Sequence, residues 1–260
     1  MRPYKIISFC LALYFFLSIN EVYAKQKITV AYAEMLAPWV IADGDEGIIV
    51  EIFEAAMTPL GYEIEHVYLP YARRTKAFES GLVDVVSDMN ENTIETHGLQ
   101  GYFSDIAYSY ENFAFSLRKN KFNFTQLSDL EHHSLLSWQD AAVHLGDEYA
   151  QMVNNNKRYG ETYDQSNQVK MLFLERYEVV QMDAQIFNYY RKKLTESKNL
   201  DVTSKVDRFA LFGASPNGFL FKSEKIRDEF NTQLKWLKDT GKYKKIFARY
   251  SGSAETEATN

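Results

Sequence analysis

The sequence predicts an α/β fold arranged as two lobes. Over the first 90 residues, segments with a strand pattern alternate with segments with a helix pattern. This order is typical of a parallel sheet with helices on its faces. A second run of strands and helices follows between about residues 135 and 194. Because two more helices close the chain after a short strand, we expect the C-terminal segment to return to the first lobe.

The elements of the first unit follow from the spacing of apolar residues. Alternating apolar and polar side chains predict strands, and apolar side chains three or four residues apart predict helices. In chain order these patterns give a strand at 27–33, a helix at 48–60, a strand at 62–69, a helix at 70–81 and a strand at 82–87. Pro59 and Gly61 end the first helix, and Gly81 is the expected C-cap of the second.

The same criteria divide the rest of the chain. They predict a strand at 112–117, a turn at 127–130, a strand at 135–137, helices at 140–154 and 165–175, a strand at 177–181, a helix at 184–194, a strand at 219–221 and two final helices. Ser223 is the expected N-cap of the first of these final helices, because its hydroxyl can accept a backbone N–H. Thr240 and Gly241 separate it from the last helix, at 243–250.

The N-terminus indicates export. Arg2 and Lys5 precede an apolar run at 6–19, and Ala24 follows at a suitable cleavage position. This pattern predicts a signal peptide at 1–24 and a periplasmic protein. The alternative is an uncleaved membrane anchor, although the apolar run is shorter than the roughly 20 residues that a spanning helix needs. The single cysteine, Cys10, falls within this segment, so we expect no disulfide in the mature chain.

Composition and motifs narrow the functional classes. The chain has 35 acidic and 29 basic residues, with a net charge of −6 and no basic stripe, which argues against a nucleic-acid partner. It contains no Gly-rich phosphate loop, no His-Glu-x-x-His and no Gly-x-Ser-x-Gly. His132 and His133 are adjacent and therefore point apart, which makes a poor metal pair. We predict a protein that is not an enzyme and has no cofactor or metal.

Four segments occur in an order that is specific as a set. They are the strand at 28–31 that leads to Pro38-Trp39 and a helix after Gly47, the segment 69–84 in which a helix is followed by the step Gly81-Leu-Val-Asp84, the step Tyr102-Phe-Ser-Asp105 before a strand, and the ending at 234–250. Together they resemble the family 3 extracellular solute-binding proteins, which are periplasmic receptors of polar amino-acid-type ABC importers. The resemblance covers nearly the whole mature chain.

This resemblance implies the type II periplasmic-binding-protein fold, with a hinge and a ligand cleft between two lobes. It implies lobe 1 at 25–117 and 216–253, lobe 2 at 118–215, and a loose tail at 254–260. It also implies that the protein captures a small polar solute, amino-acid-like or amine-bearing, and delivers it to an ABC permease. A monomer is the default in this family.

The resemblance also suggests ligand-binding residues. Asp183 stands where relatives use an aspartate to bind the ammonium of the ligand; an N-cap role is the alternative. Relatives hold the ligand's carboxylate with an arginine, but this position falls here on Thr96 or His97. Because that clamp is absent, a standard L-amino acid is in doubt. Arg73 is the expected substitute, and the neighbouring Arg74 is expected to be solvated.

Further candidates come from the ends of the predicted strands. Tyr32, Trp39 and Tyr71 are candidate aromatic walls of the cleft, with ordinary packing as the alternative. Trp138 and Gln139 stand where many relatives begin a helix of lobe 2, and Trp138 would narrow the site or stack on the ligand. Asn90 is a further candidate, because its side chain could donate hydrogen bonds from the end of a strand.

Two other functions stay open. Related domains are the ligand-sensing parts of membrane kinases, so a sensory role through a membrane partner is the first alternative. A few relatives on this fold are dehydratases of cyclic acids, and such an enzyme would need an acid or base in the cleft, for which Glu95 and His97 are the candidates.

Overall fold

The computed structural model describes residues 26–198 and 200–250, apart from the side chains of Met35, Tyr71 and Ala72. The predicted signal peptide and the predicted tail therefore lie outside the described residues. Within those two ranges, no helix is long and apolar enough to cross a membrane.

Strands and helices alternate along the chain. The strands are β1 (Lys27–Ala33), β2 (Met35–Leu36), β3 (Val40–Ile41), β4 (Glu63–Leu69), β5 (Val85–Met89), β6 (Tyr102–Phe103), β7 (Tyr108–Leu117), β8 (Leu135–Trp138), β9 (Tyr159–Thr162), β10 (Val179–Asp183), β11 (Val206–Phe209) and β12 (Ala214–Phe221). The helices are α1 (Ile48–Met57), α2 (Tyr71–Glu79), α3 (Glu91–His97), α4 (Ala141–His144), α5 (Asp147–Asn155), α6 (Gln165–Phe173), α7 (Ala184–Ser197), α8 (Glu224–Asp239) and α9 (Lys242–Tyr250).

The larger sheet joins two halves through two long strands. Its main path has the order β4-β1-β5-β12-β7-β10-β8-β9. In the first half β4, β1 and β5 are parallel, and in the second β10, β8 and β9 are parallel. The strands β7 and β12 are antiparallel to each other and pair between Tyr108–Glu111 and Ala214–Asn217. The structure thus confirms the two-lobed α/β architecture, with β7 and β12 as the connection between the lobes.

An aromatic core stabilises the first lobe. Helix α1 contacts α8, and Phe53 on α1 packs against Phe219, Phe221 and Phe230 with ring centroids 5.1 to 6.1 Å apart. All four rings are fully buried, and tilted or offset contacts of this kind add to the free energy gained by burial. The residue before α1 is Gly47, with φ +123°, and a Cβ there would lie 2.6 Å from the carbonyl oxygen of Trp39. Only glycine fits this junction.

The second lobe has its own smaller core. It includes Leu130, Leu135, Tyr149 and Met152, all buried. The Tyr149 hydroxyl shares a 2.5 Å hydrogen bond with the hydroxyl of Ser137, so the buried polar group of this core is satisfied.

Most predicted elements are present, and the differences have local causes. The helix predicted at 140–154 is divided into α4 and α5, because Gly146 lies between them with φ +90°. Gly81, with φ +74°, follows the last turn of α2 as expected, and the Ser223 hydroxyl accepts the N–H of Ile226 as the predicted N-cap of α8. The patterns do not predict β9, β11 or α3. These elements are short and mostly polar; α3 has a single apolar residue, Ile94.

Candidate functional site

A cleft of about 1250 Å³ opens between the two lobes, beside the connecting strands. The first lobe contributes the end of β5 and the first turn of α3. The second lobe contributes the ends of β8 and β10 and the segment from α4 to the start of α5. The floor is formed by parts of β7 and β12, including Tyr110, Asn112 and Ser215. The carboxyl ends of parallel strands therefore meet at this cleft, which is the usual place for a ligand in open α/β sheets.

Asp183 lies at the floor of the cleft and is only 4% exposed. It is the last residue of β10 and the N-cap of α7, since its Oδ1 accepts the backbone N–H groups of Gln185 and Ile186 at 2.9 and 3.1 Å. Oδ1 also accepts the indole Nε1–H of Trp39 at 2.8 Å, and Oδ2 accepts the N–H of Glu111 at 2.9 Å. The N-cap position and the cleft position thus belong to the same side chain.

The charge of Asp183 has no cationic partner among the ion pairs of the described residues. Burial raises its pKa to about 6, although the four hydrogen bonds act in the opposite direction. A carboxylate offers about four acceptor sites, and three donors already occupy Oδ1. Oδ2 has one donor, so it retains capacity for another.

Trp39 and Tyr32 were predicted to form aromatic walls of the cleft, but neither is among its lining residues. Trp39 is 1% exposed, and its indole packs against Tyr108 and Tyr110 while it donates to Asp183. It therefore supports the cleft from behind. Tyr32 is fully buried and stacks on His66 with ring centroids 5.5 Å apart. Tyr32 thus lies in the core instead of the cleft, because its ring packs against His66 and Tyr68 of the neighbouring strand β4.

The two arginines of α2 differ from the prediction in their exposure, because Arg73 is exposed and Arg74 is buried. Arg73 is exposed and is not part of the cleft lining. Arg74 is 3% exposed and donates to the carbonyl oxygen of Ser87 at 3.1 Å and to Oδ2 of Asp88 at 3.3 Å. The helical period explains the reversal, because Arg74 shares a face with Ala77 and Phe78, three and four residues later, and both are buried. Tyr71 is the first residue of α2, and its side chain is not among those described.

Asp88 is a cleft residue that sequence reasoning missed. Its φ is +66°, which is uncommon for a residue other than glycine. The hydroxyl of Tyr110 donates to Oδ1 at 2.7 Å, and Arg74 pairs with Oδ2. The available signal was its place at the end of a buried strand. Side chains that hold such a backbone conformation often belong to functional sites.

Three predicted residues do line the cleft. Asn90 caps α3 by accepting the N–H of Thr93 at 2.8 Å, and its Nδ2 donates to Oδ1 of Asn217 on β12 at 3.3 Å. Trp138 is partly buried and stacks on His144 with ring centroids 5.6 Å apart. Gln139 is exposed, and its backbone N–H is bound to the carbonyl oxygen of Thr162. The structure thus brings Asn90, Trp138 and Gln139 together with Asp183 around one cleft.

Comparison with known proteins agrees with this geometry. The family model for bacterial extracellular solute-binding proteins, family 3, matches residues 28–253. The chain belongs to this family. No curated protein matches its sequence.

Several solved structures share the fold at low sequence identity. The GluR0 ligand-binding core in complex with L-glutamate is 16% identical, with a TM-score of 0.67 over 88% of this chain and 100% of that one. A histidine kinase sensor domain similar to periplasmic binding proteins is 19% identical, with a TM-score of 0.65 over 88% and 97%. An ancestral amino-acid-binding protein described as a precursor of cyclohexadienyl dehydratase is 16% identical, with a TM-score of 0.62 over 89% and 98%. At these identities the likeness establishes the fold alone.

The cleft of this solute-binding protein is acidic. Six carboxylate side chains line it, and no lysine or arginine is among its lining residues in the described part of the chain. They are Asp88, Glu91, Asp140, Asp147, Glu148 and Asp183. Thr96 and His97, where the carboxylate-binding arginine was expected, lie outside the lining, which includes instead Glu91, Asn92 and Thr93 from the first turn of α3. None of these three residues is basic, so the first turn of α3 supplies no arginine to the cleft in place of the one expected at Thr96 or His97.

Within the described residues no group of three or more histidine, cysteine or carboxylate side chains is placed to hold a metal ion. Glu95 and His97, the acid–base candidates of the dehydratase alternative, are exposed and lie outside the cleft lining.

Proposed function

We infer that this protein captures a small polar solute with a cationic amine between its two lobes, for delivery to the membrane permease of an ABC transporter. The observation that carries this proposal is Asp183, a carboxylate that is 4% exposed at the cleft floor and is not part of any described ion pair. Burying an ionised group is costly unless a charge partner compensates it. An ammonium bound at Oδ2 would supply that partner through a charge-assisted hydrogen bond.

The rest of the cleft supports the same charge. Five more carboxylates line it without a lysine or arginine, so a cation is attracted into it and an anion is repelled. The aromatic faces of Tyr110 and Trp138 also line it and favour a cationic or apolar group at van der Waals distance. Exclusion of water on closure would strengthen these interactions.

The connecting strands supply a plausible hinge. In the described sheet β12 pairs with β5 of the first half, β7 pairs with β10 of the second half, and β7 and β12 pair with each other. A rotation of the lobes would therefore bend these two strands near Tyr108–Glu111 and Ala214–Asn217. Closure of this kind around a solute is a common hinge motion of two-domain receptors. The predicted division into lobes at residues 117 and 216 fits this geometry and stays a proposal, as do the periplasmic location and the monomeric state.

A sensory role is the second candidate. It uses the same cleft and the same closure, and it is favoured by the fold that the chain shares with a histidine kinase sensor domain. The two roles differ in the event that binding triggers. Loss of the protein abolishes uptake of the solute if it serves a permease, whereas it abolishes a transcriptional or kinase response with uptake unchanged if it serves a sensor.

Thermal unfolding of the purified protein with a panel of amines, amino acids and organic acids tests the binding proposal. A ligand at 100 times its dissociation constant adds about 2.7 kcal/mol of stability, which raises the unfolding midpoint by a few degrees in a chain of this size. We expect shifts with cationic amines and none with organic acids. A shift with acids alone would contradict the proposal.

A further inference from the structure

We propose that the solute is a linear diamine without a carboxylate, held with one ammonium at Asp183 and the other at the acidic groups of the cleft mouth. This rests on the proposed function and names the ligand class for the same cleft. It departs from what amino-acid-binding neighbours would suggest, and it follows from the groups that line this particular cleft.

The described lining of the cleft has no cationic side chain that could bind the carboxylate of an amino acid. A carboxylate ligand needs a cationic side chain or free backbone N–H groups, such as those at a helix N-terminus. No lysine or arginine is in the described lining. The N-terminus of α7 is already occupied, because Asp183 itself accepts the N–H groups of Gln185 and Ile186.

Two other helices that begin at the cleft, α3 and α5, are unfavourable to anions because their first turns are acidic. In α3 this acid is Glu91, and Asn90 already accepts the N–H of Thr93. The first turn of α5 consists of Asp147 and Glu148 after Gly146, and all three line the cleft. These carboxylates interact favourably with the helix dipole and take the place that an anionic ligand would use. A ligand carboxylate would therefore lie among like charges on this side of the cleft.

The acidic groups of the cleft differ in their exposure to solvent. Asp183 is buried at the floor, whereas Asp147 and Glu148 are exposed at the mouth, and neither of these two is in a described ion pair. The same lining includes the apolar or aromatic side chains of Tyr110, Trp138 and Ile186. A buried acid, two exposed acids, and apolar or aromatic side chains in one cleft complement the two ammonium groups and the polymethylene chain of a linear diamine.

Asp88 is not one of the two binding groups. Its carboxylate is paired with the buried guanidinium of Arg74 and also accepts the hydroxyl of Tyr110. Because its charge is balanced within the protein, it contributes less to the attraction of a second cation than the unpaired acids of the mouth do.

Matched pairs of compounds isolate the carboxylate. L-lysine and 1,5-diaminopentane differ only in the α-carboxylate, as do L-ornithine and 1,4-diaminobutane. The monoamine n-pentylamine lacks the second ammonium of 1,5-diaminopentane. We expect titration calorimetry on the purified protein to give a diamine affinity at least about tenfold above that of both its amino acid and the monoamine, since each charge-assisted contact is worth a factor of this order.

Two variants test the two ends of the ligand. Asp147→Asn with Glu148→Gln should lower diamine affinity about tenfold to the level of n-pentylamine and leave n-pentylamine binding unchanged. Both side chains are exposed, so the fold should persist. Asp43→Asn with Glu79→Gln removes the same net charge from exposed positions outside the cleft and should have no such effect. Asp183→Asn should weaken the diamine and the monoamine alike.

The possible failures are distinguishable. If L-lysine or L-ornithine binds as tightly as its diamine, the cleft accepts a carboxylate and the diamine proposal is overturned, while the proposed function stands. Equal affinity of n-pentylamine and 1,5-diaminopentane would show that the second ammonium makes no favourable contact in the cleft, and it overturns the proposal as well. If no amine of any kind binds to the folded protein, both this proposal and the proposed function fail.

Discussion

Asp88 and Asp183 are two aspartates at the ends of β5 and β10, one on each side of the cleft, and they are held in opposite ways. Asp88 has φ +66° and pairs with the buried guanidinium of Arg74. Asp183 has an ordinary φ of −66° and is bound only by neutral N–H donors. The first carboxylate therefore uses its charge inside the protein. The second has no charge partner among the described ion pairs, which is why we propose that it binds the ligand while Asp88 has a structural role.

The largest expected effect is the loss of stability when the guanidinium of Arg74, which pairs with Asp88, is removed. Removing one member of a buried ion pair leaves the other charge uncompensated, which typically costs about 3–5 kcal/mol. Arg74→Met should lower the free energy of unfolding by this order, toward the low end because Asp88 is 16% exposed. Urea unfolding measures the change.

The neighbouring position supplies the matched control for that experiment. Arg73 is exposed on the same helix, so Arg73→Met should change the stability by no more than about 0.5 kcal/mol. Equal effects of the two substitutions would show that Arg74 is not the partner of Asp88 in solution.

The second prediction uses the charge of Asp183 in the free protein. Its pKa is raised from 3.8 in the unfolded chain to about 6 in the fold, mainly by burial. The unfolded state therefore loses this proton first, and the contribution of Asp183 to stability falls as pH rises from about 4 to about 6. One pKa unit corresponds to about 1.4 kcal/mol, so the penalty above pH 6 reaches about 3 kcal/mol.

A difference measurement isolates this contribution from those of the other acids. The free energy of unfolding of Asp183→Asn minus that of the original protein should rise by about 2.4 kcal/mol between pH 4 and pH 7. The amide nitrogen of the variant faces the N–H of Glu111, but this cost does not depend on pH and cancels. A flat difference would mean that Asp183 is solvated or paired with a cation in the free protein.

The third prediction concerns the indole behind Asp183. Trp39→Phe keeps most of the aromatic packing against Tyr108 and Tyr110 but removes the 2.8 Å hydrogen bond to Oδ1. Hydrogen bonds to charged groups contribute about 1.5–3 kcal/mol, so we expect a loss of about 2 kcal/mol at pH 7. Because this bond lowers the pKa of Asp183, the variant should also titrate Asp183 at higher pH. Unfolding at several pH values measures both effects, and a loss that is constant with pH would argue for packing alone.

The same two aspartates show what could be read from the sequence. Asp183 was proposed because the segment 177–190 resembles the strand and helix of family 3 that carry a ligand-binding aspartate, and Asp183 stands at that place after residues 179–182. Asp88 was missed because its role depends on Arg74 and Tyr110, which lie 14 and 22 residues away along the chain. The reversal of Arg73 and Arg74 was available from the helical period, since Arg74 is aligned with Ala77 and Phe78. The burial of Tyr32 and Trp39 was not, because it depends on contacts with residues distant along the chain: His66 for Tyr32, and Tyr108 and Asp183 for Trp39.

The smallest expected effect is the pH dependence of ligand binding, and it separates the two acids directly. An ammonium binds the ionised form of Asp183, whose pKa in the free protein is about 6, so affinity should fall about tenfold from pH 7 to pH 5 while the amine itself stays protonated. The imidazole of His144 also lines the cleft, so the profile is measured in a His144→Gln background by titration calorimetry. Asp183→Asn in that background should bind weakly with no dependence over this range. If the dependence persists without the Asp183 carboxylate, another acid of the cleft binds the amine, and the contrast between Asp88 and Asp183 has to be redrawn.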